Sequence, residues 1–254
     1  MIPSFHRKAL TAALLPLLAW AMPADAASLQ VSPVTLSFQP GQFAEGITLR
    51  NTGDAPLTGQ VRVFAWSQSG GDDKLDPAQG VVASPPMVVI PPQGEQLVRV
   101  VRTSHQPADH ELTYRLLIDE LPPPQGAATG GETTGGVNFR LRYSIPVFVP
   151  LPGPQAVVKL GWSLRQHDGG WYLAAANQGA TRAQLSAVSL IGAGGERFEV
   201  SAGLLGYALA SAGREWRLGD QFPAALAAAG LKVQATVNAS PAAPAPVEVV
   251  AGPR

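Results

Sequence analysis

Residues 137–149 read VNFRLRYSIPVFV, the longest uninterrupted alternation of apolar and polar side chains in this chain. A period of two is typical of a β-strand, because successive side chains point to opposite faces of a sheet. The apolar residues that would share one face are Val137, Phe139, Leu141, Tyr143 and Ile145. The pattern fits an internal strand with one buried face, and it also fits a sheet edge kept open so that another chain can add a strand.

A low-complexity segment comes directly before this strand. Residues 122–136 read PPPQGAATGGETTGG, a composition that offers little apolar surface for packing. A long apolar strand at a sheet edge is normally an aggregation hazard. The open-edge interpretation therefore predicts a partner that covers the strand.

Short alternating segments recur along the rest of the chain and are separated by Gly, Pro, Asn and Asp. We predict the strands Gln30–Phe38, Glu45–Asn51, Gly59–Ser67, Met87–Ile90, Glu95–Thr103, Leu112–Leu121, Val137–Val149, Gln155–Gln166, Gly170–Asn177, Ala183–Leu190, Arg197–Val200, Glu215–Leu218 and Lys232–Asn238. Only Pro223–Leu231 has a mildly helical composition. This series predicts an all-β fold made of two immunoglobulin-like β-sandwich domains of about 100 residues each.

Proline-rich segments mark the domain boundaries. The segment Pro150–Pro154 reads PLPGP, the composition of a stiff linker. We therefore predict a first domain over residues 27–150 and a second over 151–238. The Ala- and Pro-rich residues 239–254 are expected to form a disordered tail.

The overall composition excludes several classes of protein. The 254 residues include 27 Gly and 24 Pro and only 14% charged side chains, which argues against coiled coils and helix bundles. The 18 basic residues balance the 18 acidic ones, so no net field attracts nucleic acid or an anionic membrane. The absence of cysteine excludes disulfides and thiolate metal sites.

The N-terminus has the three parts of a secretory signal peptide. His6, Arg7 and Lys8 form a basic region, residues 9–22 are mostly apolar, and residues 24–26 read Ala-Asp-Ala. The alternative is a buried N-terminal helix. We predict cleavage after Ala26 and export to the periplasm, without membrane insertion, because no second apolar run approaches the roughly 20 residues of a membrane span.

Arginines recur within the apolar strands: Arg99, Arg102, Arg115, Arg140 and Arg142. A guanidinium group is seldom buried unless it is paired, and its planar fork matches a carboxylate. Each arginine fits the solvent face of its strand, or an internal ion pair with Asp119, Glu120 or Glu111. Together they also leave room for one carboxylate-binding site.

Motifs of enzymes and metal sites are weak in this sequence. His105 and His110 flank Asp109, and His167 lies in a turn, but none has the spacing of a known metal motif. The carboxylates of Asp72, Asp73 and Asp76 do not have the spacing of a calcium loop. We therefore predict no catalytic residue, no metal, no cofactor and no small-molecule substrate.

Three stretches of the sequence resemble the periplasmic pilus-assembly (chaperone–usher) chaperones. They are Ser84–Val100, which contains SPPM and IPPQG, Tyr114–Pro122 and Leu141–Val149, and Phe64–Trp66 fits a middle strand of the same domain. The resemblance is specific over about residues 29–150 and is strongest to the archaic, spore-coat-type branch. Beyond residue 150 it is only architectural.

This resemblance implies a boomerang of two sandwiches with a cleft between them. Such chaperones lend their seventh strand to an incomplete pilus subunit until an outer-membrane usher exchanges it, an example of β-strand addition. The loaned residues here would be Val137, Phe139, Leu141, Tyr143 and Ile145. A secreted structural pilus subunit or adhesin with tandem sandwiches is the alternative.

The resemblance also implies a cleft that binds the carboxylate at the subunit's C-terminus. In the better-known branch an Arg and a Lys form this anchor, and ungapped comparison places those positions at Thr35 and Ile145, neither of which is cationic. The candidates that remain are Arg115 and Arg142, which lie in matching motifs, followed by Arg99 and Arg102.

Overall fold

The computed structural model describes residues 29–103, 108–122, 140–151 and 157–250. Within these residues the regular structure is β-strand apart from one 3₁₀ turn at Ala224–Leu226. The strands are β1 Leu29–Ser32, β2 Leu36–Ser37, β3 Ala44–Asn51, β4 Leu57–Ser69, β5 Asp72–Pro77, β6 Val81–Ser84, β7 Met87–Ile90, β8 Glu95–Arg102, β9 Leu112–Leu121, β10 Arg142–Val149, β11 Leu160–His167, β12 Gly170–Asn177, β13 Ala183–Ile191, β14 Arg197–Ala208, β15 Ala212–Arg217, β16 Lys232–Val237, β17 Ser240–Pro241 and β18 Ala245–Val250.

The described residues between 29 and 149, the first lobe, form a sandwich of two sheets. One sheet has the strand order β1-β3-β8-β6, and the other has the order β2-β10-β9-β4-β5, with β7 also paired to β4. Alternate residues of each strand point between the sheets, as Leu116 and Ile118 of β9 do, and both are fully buried. The all-β prediction is confirmed for this lobe.

The first predicted strand, Gln30–Phe38, is two strands. β1 runs antiparallel to β3 in one sheet, whereas β2 runs parallel to β10 in the other. Pro33 lies between them and has no N–H to donate to a sheet ladder, so the chain leaves the first sheet there. This one segment of sequence therefore supplies an edge strand to each of the two sheets.

Residues 160–250, the second lobe, form a separate sandwich around their own core. Its strand order is β14-β13-β16-β18-β11-β12-β15, with β17 paired to β16. Leu164, Leu173 and Leu190 lie at its centre and are fully buried. Two lobes with separate cores confirm the predicted two-sandwich architecture.

The prediction of a disordered tail over residues 239–254 is wrong for the described part of that range. β18 pairs in parallel with β11 and antiparallel with β16, so it lies inside the sheet. Val247 is buried and Val249 packs against the same core. The Ala/Pro composition hid this alternation of valines. Residues 251–254 lie outside the described residues.

Other differences concern strand bounds; β14, for example, runs to Ala208, whereas the prediction ended at Val200. β5 and β6 are absent from the predicted strands. β5 is exposed along its whole length and carries Asp72, Asp73 and Asp76, so it shows no apolar alternation. β10 begins at Arg142, within the predicted Val137–Val149, and residues 137–139 lie outside the described residues. The predicted signal peptide, residues 1–26, also lies outside them.

A hairpin of the first lobe reaches the second lobe. β4 and β5 are joined by Gly70 and Gly71, and the backbone N–H of Glu215 in β15 donates to the Gly71 carbonyl at 3.0 Å. Gly71 has φ = 84°, and a Cβ atom there would lie 3.0 Å from the Glu215 side chain. Glycine is therefore required at the point where this hairpin touches the second lobe.

An aromatic cluster fills the junction between the lobes. Trp66 and Phe148 come from the first lobe, and Tyr207 and Leu209 come from the second. Gln68, which is buried, receives a hydrogen bond from the Leu209 N–H and donates to the Tyr207 carbonyl, both at 2.8 Å. These contacts fix the second lobe against the end of β4.

Candidate functional site

The free edge of β10 is the first feature of the candidate site. One side of β10 pairs with β9 along its whole length, from Arg142 to Val149. The other side pairs with β2 only at Val147 and Phe148, and the Phe38 N–H donates to the Phe148 carbonyl at 2.9 Å. Among the described strands, none covers residues 142–146 on that side.

The register of β10 tells which backbone groups this edge offers. The Glu120 N–H donates to the Leu141 carbonyl, so odd-numbered residues face β9, and even-numbered residues face the open side. Arg142 and Ser144 therefore direct both N–H and C=O outward, whereas Pro146 can offer only its carbonyl. A strand could be added here over about two hydrogen-bonded pairs.

The apolar side chains of β10 divide into two groups. Ile145 is 4% exposed and belongs to the first lobe's own core. Leu141 and Tyr143 are half-buried at the margin of that core, and the Tyr143 hydroxyl donates to the Leu29 carbonyl at 2.6 Å. Val137 and Phe139 lie outside the described residues. Ile145 is therefore committed to this chain's own fold in the structure.

Arg115 lies on the outer face of the same sheet, near the junction of the lobes. Its guanidinium carbon is 3.7 Å from the centre of the Trp66 ring, and Nη1 lies 3.5 Å from the Ser144 carbonyl. Within the described residues no carboxylate pairs with it at salt-bridge distance. Burial lowers the pKa of Arg115, and the neighbouring Asp73 partly opposes that effect.

Arg142 is held in an ion pair. Its guanidinium bonds Asp119, whose second oxygen accepts a hydrogen bond from Arg62 at 2.7 Å. Burial alone would raise the pKa of Asp119, but the hydrogen bonds from the two arginines outweigh burial and hold that pKa below its usual value. The Arg142 charge is therefore partly balanced within the chain.

The other two candidate arginines lie on the opposite sheet. Arg99 and Arg102 belong to β8, and Arg99 is exposed. Arg102 lies 5.8 Å from the centre of the Phe43 ring. The structure therefore brings Arg115 and Arg142 to one face and does not bring the four arginines together.

A cavity of about 580 Å³ lies between the lobes on the β2 side. Arg182, a residue that the sequence did not single out, lines this cavity. Arg182 of the second lobe lies 3.5 Å above the centre of the Phe148 ring and forms an ion pair with Glu111. Glu111 is 4% exposed and also accepts the Arg182 backbone N–H at 3.0 Å. Sequence reasoning named Glu111 only as a possible partner for arginines of its own domain, because a contact between domains leaves no local pattern.

The two described histidines, His110 and His167, show no arrangement typical of a metal site. His110 contacts Asp109, and His167 bridges Asp168 and Glu215 while it stacks on Tyr172. His105 lies outside the described residues. The part of the chain that the structure describes has no group of three side chains suited to a metal, nor a helix long and apolar enough to cross a bilayer.

Comparisons with known proteins agree with this architecture. Among solved structures, a chain of the CsuC–CsuE complex of chaperone and tip adhesion subunit from the archaic Csu pili of Acinetobacter baumannii is 23% identical, with a TM-score of 0.67 over 88% of this chain and 100% of that chain. The E. coli chaperone DraB is 21% identical, with a TM-score of 0.54 over 87% of this chain and 98% of that chain. A chain of the Salmonella enterica complex between the SafA pilin and the SafB chaperone is 17% identical, with a TM-score of 0.57 over 87% and 96%.

At these identities the likeness establishes a shared fold. No curated protein sequence matches the chain. Residues 28–153 match the family described as pili and flagellar-assembly chaperones, PapD N-terminal domain. The match covers the whole first lobe, including the open edge of β10, and it confirms the resemblance found in the sequence. The chain belongs to the family of pilus-assembly chaperones.

Proposed function

We propose that this chain is a periplasmic chaperone that binds pilus subunits by lending them β10 and then delivers them to an outer-membrane usher. The observation that carries the proposal is the open side of β10 at residues 142–146. An exposed sheet edge offers main-chain hydrogen bonds to an incoming strand and alternate side chains for specificity. The signal-peptide pattern of residues 1–26 supports export to the periplasm.

The side chains offered to the subunit lie N-terminal to Ile145. We propose Val137, Phe139 and Leu141, with Tyr143 at the margin, as the residues that enter the subunit's groove. Burial of four apolar side chains at about 1.5–3 kcal/mol each would contribute about 6–12 kcal/mol. Association costs about 4–15 kcal/mol, so the backbone pairs at Arg142 and Ser144 are needed as well.

Arg115 is the best candidate for the anchor of the subunit's C-terminal carboxylate. It lies beside the junction of the lobes, and it has no carboxylate partner within the described residues, whereas Arg142 shares Asp119 with Arg62. A bidentate bond to a carboxylate would compensate the partial burial of its charge. The other three arginines remain weaker candidates. We propose no enzymatic step, cofactor or metal.

Co-expression with a pilus subunit of the same organism tests the strand donation. The variant Leu141→Glu places a charge on the donated face, and we expect the amount of co-purified subunit to fall at least tenfold. Leu97→Glu is the matched control, because Leu97 is 51% exposed on the opposite sheet. Equal recovery of subunit with both variants would contradict the proposal.

Size-exclusion chromatography separates the proposed function from its alternative. A chaperone forms a 1:1 complex with a subunit, whereas a structural pilus subunit or adhesin would polymerise. We also expect Arg115→Ala and Arg142→Ala to weaken subunit capture, with the larger loss for Arg115→Ala. Full capture by Arg115→Ala would reject Arg115 as the anchor while leaving strand donation intact.

A further inference from the structure

We infer that Trp66 is a positioning residue, whose ring holds the Arg115 guanidinium in the orientation that receives a carboxylate. This inference rests on the proposed function of Arg115. It adds a residue that neither the sequence pattern nor the anchor candidates included, and it explains why Arg115 is presented at the junction of the lobes.

The contact between the two side chains is close. The guanidinium carbon of Arg115 lies 3.7 Å from the centre of the Trp66 ring, the second-shortest of the described contacts between an arginine and a ring. A guanidinium stacked on an aromatic face keeps its N–H donors in the plane of the group. One donor, Nη1, lies 3.5 Å from the Ser144 carbonyl, and none of the described carboxylates occupies the others, so the edge of the group can bind an incoming carboxylate.

Trp66 itself is fixed from both lobes. Its indole Nε1–H donates to Asp73 on β5 at 3.0 Å, and Tyr207 of the second lobe meets its ring edge-on at 5.5 Å between ring centres. Asp73 also accepts a hydrogen bond from Gln68, which binds the backbone of the second lobe. Trp66 is only 3% exposed, so its ring has little freedom to turn.

The position of Arg115 therefore depends on contacts made by the second lobe. When Trp66 is held, the Arg115 side chain has lost most of its rotational freedom before the partner arrives. A preorganised donor loses less conformational entropy on binding than a mobile one. Removal of the ring should then weaken recognition of the carboxylate while leaving strand pairing at β10 unchanged.

The test compares one peptide in two chemical forms. A synthetic peptide with the C-terminal sequence of a subunit that co-purifies with the chaperone is prepared as the free acid and as the C-terminal amide. The measured quantity is the ratio of its two affinities for the full-length chaperone. A general loss of structure lowers both affinities and leaves the ratio unchanged, so the ratio reports on the carboxylate alone.

The variants are Trp66→Leu, Trp66→Phe, Arg115→Ala and the control Trp162→Leu, which removes a buried indole from the second core. We expect Arg115→Ala to bring the ratio close to one and Trp66→Leu to lower it about three- to tenfold. Trp66→Phe keeps an aromatic face, so it should restore much of the ratio, and it also serves if Trp66→Leu fails to fold. Trp162→Leu should leave the ratio unchanged.

Two results would overturn the inference in different ways. If Arg115→Ala leaves the ratio unchanged, the proposed anchor is wrong and the role of Trp66 falls with it. If Arg115→Ala brings the ratio of affinities close to one but both Trp66 variants keep the native ratio, Arg115 remains the anchor and Trp66 does not position it.

Discussion

Replacement of Arg182 by methionine would leave the carboxylate of Glu111 buried without its cationic partner, although the backbone N–H of residue 182 would still donate to it. Glu111 is 4% exposed, and the Arg182 side chain is 24% exposed. Removal of one partner from a buried ion pair costs about 3–5 kcal/mol, and the partial exposure of Arg182 points to the lower end, about 3 kcal/mol. Methionine keeps the apolar contact with Phe148, so the loss reports mainly on the charge.

Urea unfolding followed by tryptophan fluorescence measures this loss. With a slope of about 3 kcal/mol per molar urea, a loss of about 3 kcal/mol lowers the midpoint by about 1 M. The double variant Glu111→Gln/Arg182→Met removes both charges and should recover much of the difference. Arg165→Met is the control, because the Arg165 side chain is 50% exposed in its pair with Glu215 and the pair should contribute less than about 1 kcal/mol.

Two results would refute this reasoning. A midpoint for Arg182→Met within about 0.2 M of the wild type would mean that water already solvates Glu111. A double variant as unstable as the sum of the two single variants would mean that the side chains stabilise the junction independently.

Other predictions concern pH and the contact between the lobes. Because the pKa of Asp119 is lowered, its ion pair stabilises the fold above the unfolded pKa of 3.8 and loses that effect as pH falls through the folded pKa. Arg142→Ala should therefore make the urea midpoint of unfolding fall less steeply with pH below about pH 4. The pKa of His167 is raised, mainly by its hydrogen bond to Asp168. The protonated imidazole therefore stabilises the fold fully below pH 6.5, and this stabilisation is lost as pH rises through the folded pKa. His167→Gln should flatten the dependence of the free energy of unfolding on pH above pH 6.5, and an unchanged slope would contradict this. Gly71→Val requires a branched side chain at φ = 84° beside Glu215, and it should raise the radius of gyration in small-angle scattering while each lobe stays folded; an unchanged radius would show that this contact does not hold the lobes.

Much of the fold could be predicted because alternation and turn residues are local signals. The predicted strand Leu112–Leu121 matches β9 residue for residue, and Gly170–Asn177 matches β12. β5 could not be found in this way, because it buries none of its residues and is held in the sheet by its pairing with β4. β18 was missed for a different reason, since Ala and Pro around Val247 have low intrinsic preference for strands.

The candidate site could be predicted only in part, because its members meet through tertiary contacts. The sequence identified Arg115 and Arg142 as cations within strands, and the register of β9 and β10 places both on one face. The ring beneath Arg115 belongs to β4, and the cation above Phe148 comes from the second lobe. Neither partner lies at a fixed distance in sequence from the residue that it contacts, so no sequence motif could have predicted either contact.

The division of β10 into a covered half and an open half follows from its sequence together with its pairing to β2. From Ile145 onward its inward side chains are buried and β2 covers its edge at Val147 and Phe148, so this half cannot leave without opening the first core. Pro146 ends the open side, because it has no N–H to offer a further pair. On the N-terminal side the exposed Arg142 places a charge on the edge, which discourages pairing between two copies of the same edge. A subunit that supplies an acidic or neutral strand would not meet this repulsion, so the same charge that keeps the free edge from pairing with itself leaves it available to a client.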